Sequence, residues 1–135
     1  MTTLEGPSET AERSLDRPVM TFDLPAILGS MRREATWRTA RRNAMTIVKQ
    51  PIFRVVLVAL QVGAEVGAHE TEGPVTVQAM EGRLAIRVGA DEVVLGPGQL
   101  LVLRPGLHHS MHALDDAAFL LTLTAETTHP AERFA

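Results

Sequence analysis

GAEVGAHETEGPVTVQAMEG (residues 63–82) and GQLLVLRPGLHHSMHA (residues 98–113) decide the reading of this 135-residue chain. In the first stretch, five residues separate Gly63 from His69 and one separates His69 from Thr71. Three more lead to Val75, and six lead from there to Gly82. In the second, five residues separate Gly98 from Arg104, Pro105 and Gly106 follow, two residues precede His109, and three lie between His109 and Ala113. Each stretch delivers a histidine at a set distance from its glycines. Gly82 and Gly98 suit tight turns between strands, and Gly106 allows a positive φ ahead of the strand that carries His109.

Outward from these stretches the pattern is that of short strands. Residues 45–48 and 53–60 are rich in β-branched and apolar side chains, with Pro51 between them. Further strands are expected over residues 75–80, 83–88, 92–95, 100–103, 109–113 and 117–124. Glycine, proline and aspartate punctuate them at Gly73-Pro74, Gly89-Ala90-Asp91, Gly96-Pro97-Gly98 and Asp115-Asp116. Many short strands with turn signals between them indicate a sandwich or barrel. Upstream, Asp23-Leu24-Pro25 starts a helix, an aspartate cap followed by proline in the first turn, and Leu24, Ile27, Leu28 and Met31 recur at helical spacing. A short helix is expected over about residues 24–34.

The glycine and histidine spacings resemble the two motifs of the cupin family, G-x5-H-x-H-x3-E-x6-G and G-x5-P-x-G-x2-H-x3-N. The phrases MEGRL (80–84), LGPGQL (95–100) and RPGLHHS (104–110) are also similar to small bacterial cupins. The resemblance covers about residues 44–124. It implies an all-β fold, a single cupin jelly-roll barrel (a double-stranded β-helix) with a short N-terminal helix outside it. The expected organisation is a flexible arm at 1–18, a helical extension at 19–43, the barrel at 44–125 and a tail at 126–135.

In that family, two histidines and a glutamate of the first motif join the histidine of the second to hold a divalent transition metal such as Zn, Ni, Fe or Mn. Residue by residue, His69 and His109 carry over as metal ligands. Thr71 stands where a second histidine is usual, Val75 where glutamate is usual, and Ala113 where the motif ends in asparagine. An alternative spacing puts Thr76 at the glutamate position, again without a ligand. The chain has no cysteine, so any ligand is imidazole, carboxylate, amide or water. Two imidazoles are fewer than the three or four protein ligands of a stable site. Strand alternation places Val75, Val77 and Ala79 on one face and Met111 on the face of His109, while His108, Ser110 and His112 point the other way unless a bulge shifts the register. Glu70 and Glu72 flank His69.

Charge and composition narrow the functional classes. The formal net charge is −3, which gives no general reason to expect nucleic-acid binding. Arg32, Arg33, Arg38, Arg41 and Arg42 with Trp37 form a basic aromatic stretch. It reads as a solvated face balancing acidic groups elsewhere, with Trp37 packed on the barrel. The N-terminal residues are polar, without the apolar core of a secretory signal, and no apolar run reaches a membrane span; a cytoplasmic protein is expected.

Three functional readings follow. In the first, the protein binds a small molecule, with Val75, Val77, Ala79 and Met111 lining an apolar pocket and His69 and His109 supplying its polar contacts or a weakly held divalent metal. The second reading is a metal-dependent enzyme of dioxygenase or isomerase type with an incomplete ligand set. The third concerns assembly, with a homodimer formed through a sheet edge, residues 44–60 being apolar enough to add a strand to a neighbour.

Overall fold

The computed structural model describes residues 17–69 and 72–124. Among the described residues two short helices, α1 (Leu24–Met31) and α2 (Ala35–Ala40), precede nine strands. These are β1 (Arg42–Lys49), β2 (Phe53–Leu60), β3 (Glu65–His69), β4 (Val75–Glu81), β5 (Leu84–Val88), β6 (Asp91–Leu95), β7 (Leu100–Leu103), β8 (His109–Ala113) and β9 (Ala117–Thr124). They form a five-stranded sheet in the order β1-β2-β9-β4-β7 and a four-stranded sheet in the order β3-β8-β5-β6.

The pairing partners are nested. Strand β2 pairs with β9, β3 with β8, β4 with β7 and β5 with β6, all antiparallel. This is one long hairpin rolled up, with successive rungs alternating between two sheets, and it makes the fold an all-β jelly roll with a short N-terminal helix.

The strands have two apolar layers to serve. Val75, Val77 and Ala79 of β4, Leu84 and Ile86 of β5, Met111 and Ala113 of β8 and Phe119 of β9 meet between the sheets in the barrel core. The opposite face of the five-stranded sheet is apolar too. Met45, Ile47, Leu57, Ala59 and Ala118 lie there under Ile27, Leu28 and Met31 of α1. This explains why β2 is hydrophobic from Val55 to Leu60 instead of alternating with polar residues: both of its faces are covered there.

Helix α1 begins as expected, with Asp23 Oδ1 accepting from the Ala26 N–H at 3.2 Å. It ends three residues earlier than expected, at Met31. Arg33 N and Glu34 N fold back onto Ser30 O and Met31 O, and the Asn43 amide donates to Met31 O at 3.1 Å and to Glu34 Oε1 at 2.8 Å. A side chain of β1 thus satisfies a carbonyl that a longer helix would have used. Helix α2 lies within the expected helical extension at 19–43 but beyond the one helix expected over about 24–34; it closes on Arg41 in the left-handed conformation (φ 63°) and leads into β1 at Arg42, two residues before the expected start of the barrel. Strand β3 is a second addition, in a glycine-containing segment of low strand propensity. Residues 1–16 of the arm expected at 1–18, and all of the tail expected at 126–135, lie outside the described residues.

Candidate functional site

His109 opens β8 just after the turn at Pro105-Gly106, where Gly106 has φ 80°. Its side chain is turned into the barrel and the residue is 4% exposed. It is the one polar or charged residue fully buried among the described residues. His109 Nδ1 lies 3.3 Å from Leu107 O. A carbonyl only accepts, so in this contact Nδ1 is the donor.

The neighbours of His109 follow from the ladders. In β8, His109, Met111 and Ala113 are buried, while Ser110 and His112 are half-buried on the opposite face. Register partners of His109 are Val88 on β5 and His69 on β3. Val66 pairs with Met111, so a regular ladder would bring residue 68 opposite His109; one extra residue in β3 brings His69 there instead. The backbone thereby brings together the two histidines of the sequence motifs.

Val75 and Val77 are fully buried and Ala79 and Met111 nearly so, all within the barrel core. Val75 sits in register with Leu103 on one side and Leu123 on the other. The position where a carboxylate would stand is therefore surrounded by hydrocarbon. Thr76 alternates to the outer face with Val102 and Thr122 as register partners, so the other motif spacing places no ligand in the barrel. Glu70 and Thr71 lie outside the described residues. Among the described residues no group of three or more His, Asp or Glu side chains is arranged to hold a metal ion. Of the motif donors, the described side chains place His109 in the barrel with hydrocarbon at the carboxylate position, fewer ligands than the three or four of a tightly held metal.

His112 takes part in a different arrangement. The β5–β8 ladder is regular, so no bulge turns it inward. Its Nδ1 lies 3.4 Å from Glu65 Oε2 on the outside of the four-stranded sheet. Beside it Arg87 donates to Glu92 at 3.3 Å. These residues and Ser110 rim a depression of about 360 Å³. The sequence reading missed this cluster, although Arg87 and the alternation of Ser110 and His112 about Met111 carry the signal. Its charges pair with one another across strands and remain solvated, an arrangement worth little energetically.

The basic aromatic stretch serves the fold. Arg32 bonds Glu81 at 2.8 Å and lies over the Trp37 ring, 5.4 Å from its centre. Arg33 reaches the Ser30 hydroxyl, Arg41 donates to Val62 O, and Arg42 donates to Glu65 O at 3.1 Å. Gln61 completes the seam by donating to Trp37 O at 2.7 Å. These bonds fasten the helical extension to the β2–β3 loop and β4, and Trp37 packs against the α1 layer. Among the described residues no helix is long and apolar enough to cross a membrane.

Comparison with known proteins agrees with this architecture. The chain is similar to a cupin superfamily protein from Desulfitobacterium hafniense, with 17% identity and a TM-score of 0.67 over 82% of this chain and 93% of that one. A conserved protein of unknown function from Streptococcus pyogenes aligns at 19% identity and a TM-score of 0.64, over 82% and 90% of the two chains. Salicylate 1,2-dioxygenase from Pseudoaminobacter salicylatoxidans, in complex with gentisate, has a TM-score of 0.71 at 14% identity; the match covers 84% of this chain and 35% of the dioxygenase. At these identities the likeness is one of fold. No curated protein matches the sequence. The family model described as the cupin domain matches residues 56–124, more than half of the chain, and with the nested jelly-roll pairing and the two motif histidines brought into register, this chain belongs to the cupin family.

Proposed function

We propose that the protein binds a small molecule inside the barrel at the His69–His109 end, and that a divalent metal taken up there is held weakly by these two residues. The observation that carries the reading is His109: a buried imidazole in an interior otherwise lined by Val75, Val77, Ala79 and Met111. A few polar groups set among apolar ones are what orients a small ligand. The Leu107 carbonyl accepts from Nδ1 and fixes the ring in the barrel. In this reading the imidazole meets a ligand hydroxyl or acid, or a metal, through Nε2. A bound metal would supply Lewis acidity to a coordinated oxygen. Val75 in place of a carboxylate leaves the site without the family's anionic ligand and without that residue as a proton acceptor, which supports binding over catalysis.

The test is a thermal-shift screen of small organic acids and alcohols, run with and without Mn, Fe, Ni or Zn, alongside metal content by mass spectrometry after loading and desalting. A ligand or metal that stabilises the wild-type protein and fails to stabilise folded His69→Ala and His109→Ala variants supports the reading. A ligand that binds all three equally places the site elsewhere.

A further inference from the structure

The outer face of the four-stranded sheet carries two rows of side chains. Glu65, His112, Ala85 and Val94 lie in register across β3, β8, β5 and β6. Ser110, Arg87 and Glu92 lie in register across β8, β5 and β6. Ala85 is the small residue of the first row and is 4% exposed, so the face is hollow between His112 and Val94. The depression of about 360 Å³ has hydrocarbon from Ala85 and Leu114, and its polar groups come from Glu65, Arg87, Glu92, Ser110 and His112. It opens away from the barrel core, to which the same sheet contributes Leu84, Ile86 and Met111.

The charges of this face contribute little to stability. His112 Nδ1 lies 3.4 Å from Glu65 Oε2, and Arg87 donates to Glu92 at 3.3 Å. Strong charge-assisted bonds run to about 2.7–2.9 Å, and exposed ion pairs are weak. These groups therefore exchange partners at little cost. Charge is also divided by position. Arg87 is matched by Glu92, whereas Glu65 faces an imidazole that is charged only if protonated. The depression offers a carboxylate on its β3 side, and on its β5 side a guanidinium with the Ser110 hydroxyl in register.

We propose that this depression binds a small zwitterion of the α-amino-acid class, its carboxylate on Arg87 and Ser110 and its ammonium on Glu65. Charge complementarity selects the ligand. A simple anion meets Glu65 and Glu92, and a simple cation meets Arg87. A molecule carrying both charges satisfies each side and leaves the net charge of the site unchanged. Its carboxylate takes the planar fork of the guanidinium and the hydroxyl. Its ammonium donates to the Glu65 carboxylate and to the lone pair of a neutral His112 imidazole. Its carbon atoms lie over Ala85 and Leu114. The site is separate from the His69–His109 end of the barrel and does not depend on what binds there.

The experiment titrates the isotope-labelled full chain with each of the common amino acids and follows the backbone amide resonances. Saturable shifts at Ala85, Arg87, Ser110 and His112 are expected. For the amino acid that produces them, the matched amine without the carboxylate and the matched acid without the amine are each expected to bind at least about 10-fold more weakly, the size of one lost bond to a charged group. Arg87→Gln and Glu65→Gln are expected to weaken binding by a similar factor, and Ala85→Leu, which fills the depression, to remove it. Circular dichroism checks that each variant is folded; if Ala85→Leu is not, Arg87→Gln on its exposed side chain decides. Absence of saturable shifts with every amino acid, shifts confined to barrel residues such as Val75 and Val77, equal binding of the amine or the acid, or unchanged affinity in folded Arg87→Gln overturns the proposal.

Discussion

His69 and His109 are register partners in the β3–β8 ladder because β3 carries one more residue than β8 between the Val66–Met111 pair and this one. A side-chain period of two means that a single extra residue exchanges which position stands opposite its partner. If the two histidines act on one ligand, their effects are coupled. His69→Ala and His109→Ala are each expected to lose as much affinity as the double variant, a non-additivity that calorimetric titration with ligand or Ni measures directly. Additive losses would separate the two residues into different sites.

Val75 stands where the cupin motif has its carboxylate, and it is fully buried between Leu103 and Leu123 in register. Val75→Glu is expected to lower the stability of the metal-free protein by about 3 kcal/mol or more, since the carboxyl loses water among hydrocarbon. Added divalent metal is expected to recover part of that loss and to be retained through desalting better than in wild type. Urea unfolding with and without Zn reads both effects, and Val75→Gln gives the loss without the recovery.

The α1 layer is a second hydrophobic core as closed as the first. Met31 and Phe119 are both fully buried, one under the helix and one inside the barrel. Met31→Ala is expected to cost about 2–5 kcal/mol and Phe119→Ala about 3–5 kcal/mol, measured by denaturant midpoints at unchanged slope. A Met31→Ala loss under about 0.5 kcal/mol would mean that the helix is dispensable to the fold.

Gly82 turns β4 toward β5 with φ 69°, and a Cβ there would run into the Asp116 carbonyl oxygen and Ala117 Cα. Backbone cannot swing aside as a flexible side chain does. Gly82→Ala is expected to cost about 2 kcal/mol or more by thermal or urea unfolding, well beyond Gly106→Ala, where the φ is positive but the space is open.

Arg83 and Asp115 pin the same corner. The guanidinium donates twice to the carboxylate, Nε to Oδ2 at 2.9 Å and an Nη to Oδ1 at 3.1 Å, and the Arg83 backbone N–H adds a third bond to Oδ2. These bonds, the guanidinium's first, hold Asp115 below the ordinary carboxylate value of 3.8. A carboxyl depressed in the folded state contributes stability that is present above its unfolded value and lost as pH falls through its folded value. Asp115→Asn is therefore expected to be less stable than wild type at neutral pH, with the difference closing as pH drops below 3.8. The pair is exposed, so added salt narrows the gap as well.

Much of the fold was legible in the sequence because its cause is local. Alternation and turn residues mark β4 to β9 to within a residue or two, and Asp23 with Pro25 marks the start of α1. The strand β3 was not legible, since Gly67 and its neighbours have little preference for extended structure and are held by the β8 ladder. Nor was the end of α1, which depends on an amide donated from β1. At the site, spacing alone picked out His69 and His109. Their pairing required the bulge, a property of two strands and not of either.

By itself, then, the sequence determined the jelly roll, the two histidine positions and the replacement of the motif carboxylate by Val75, because periodicity, turn chemistry and residue identity are carried along the chain. Only the tertiary structure decided which histidines share a register and which apolar face the helix covers. Those depend on distant segments competing for the same surface, and α1 takes the outer face of β1 and β2.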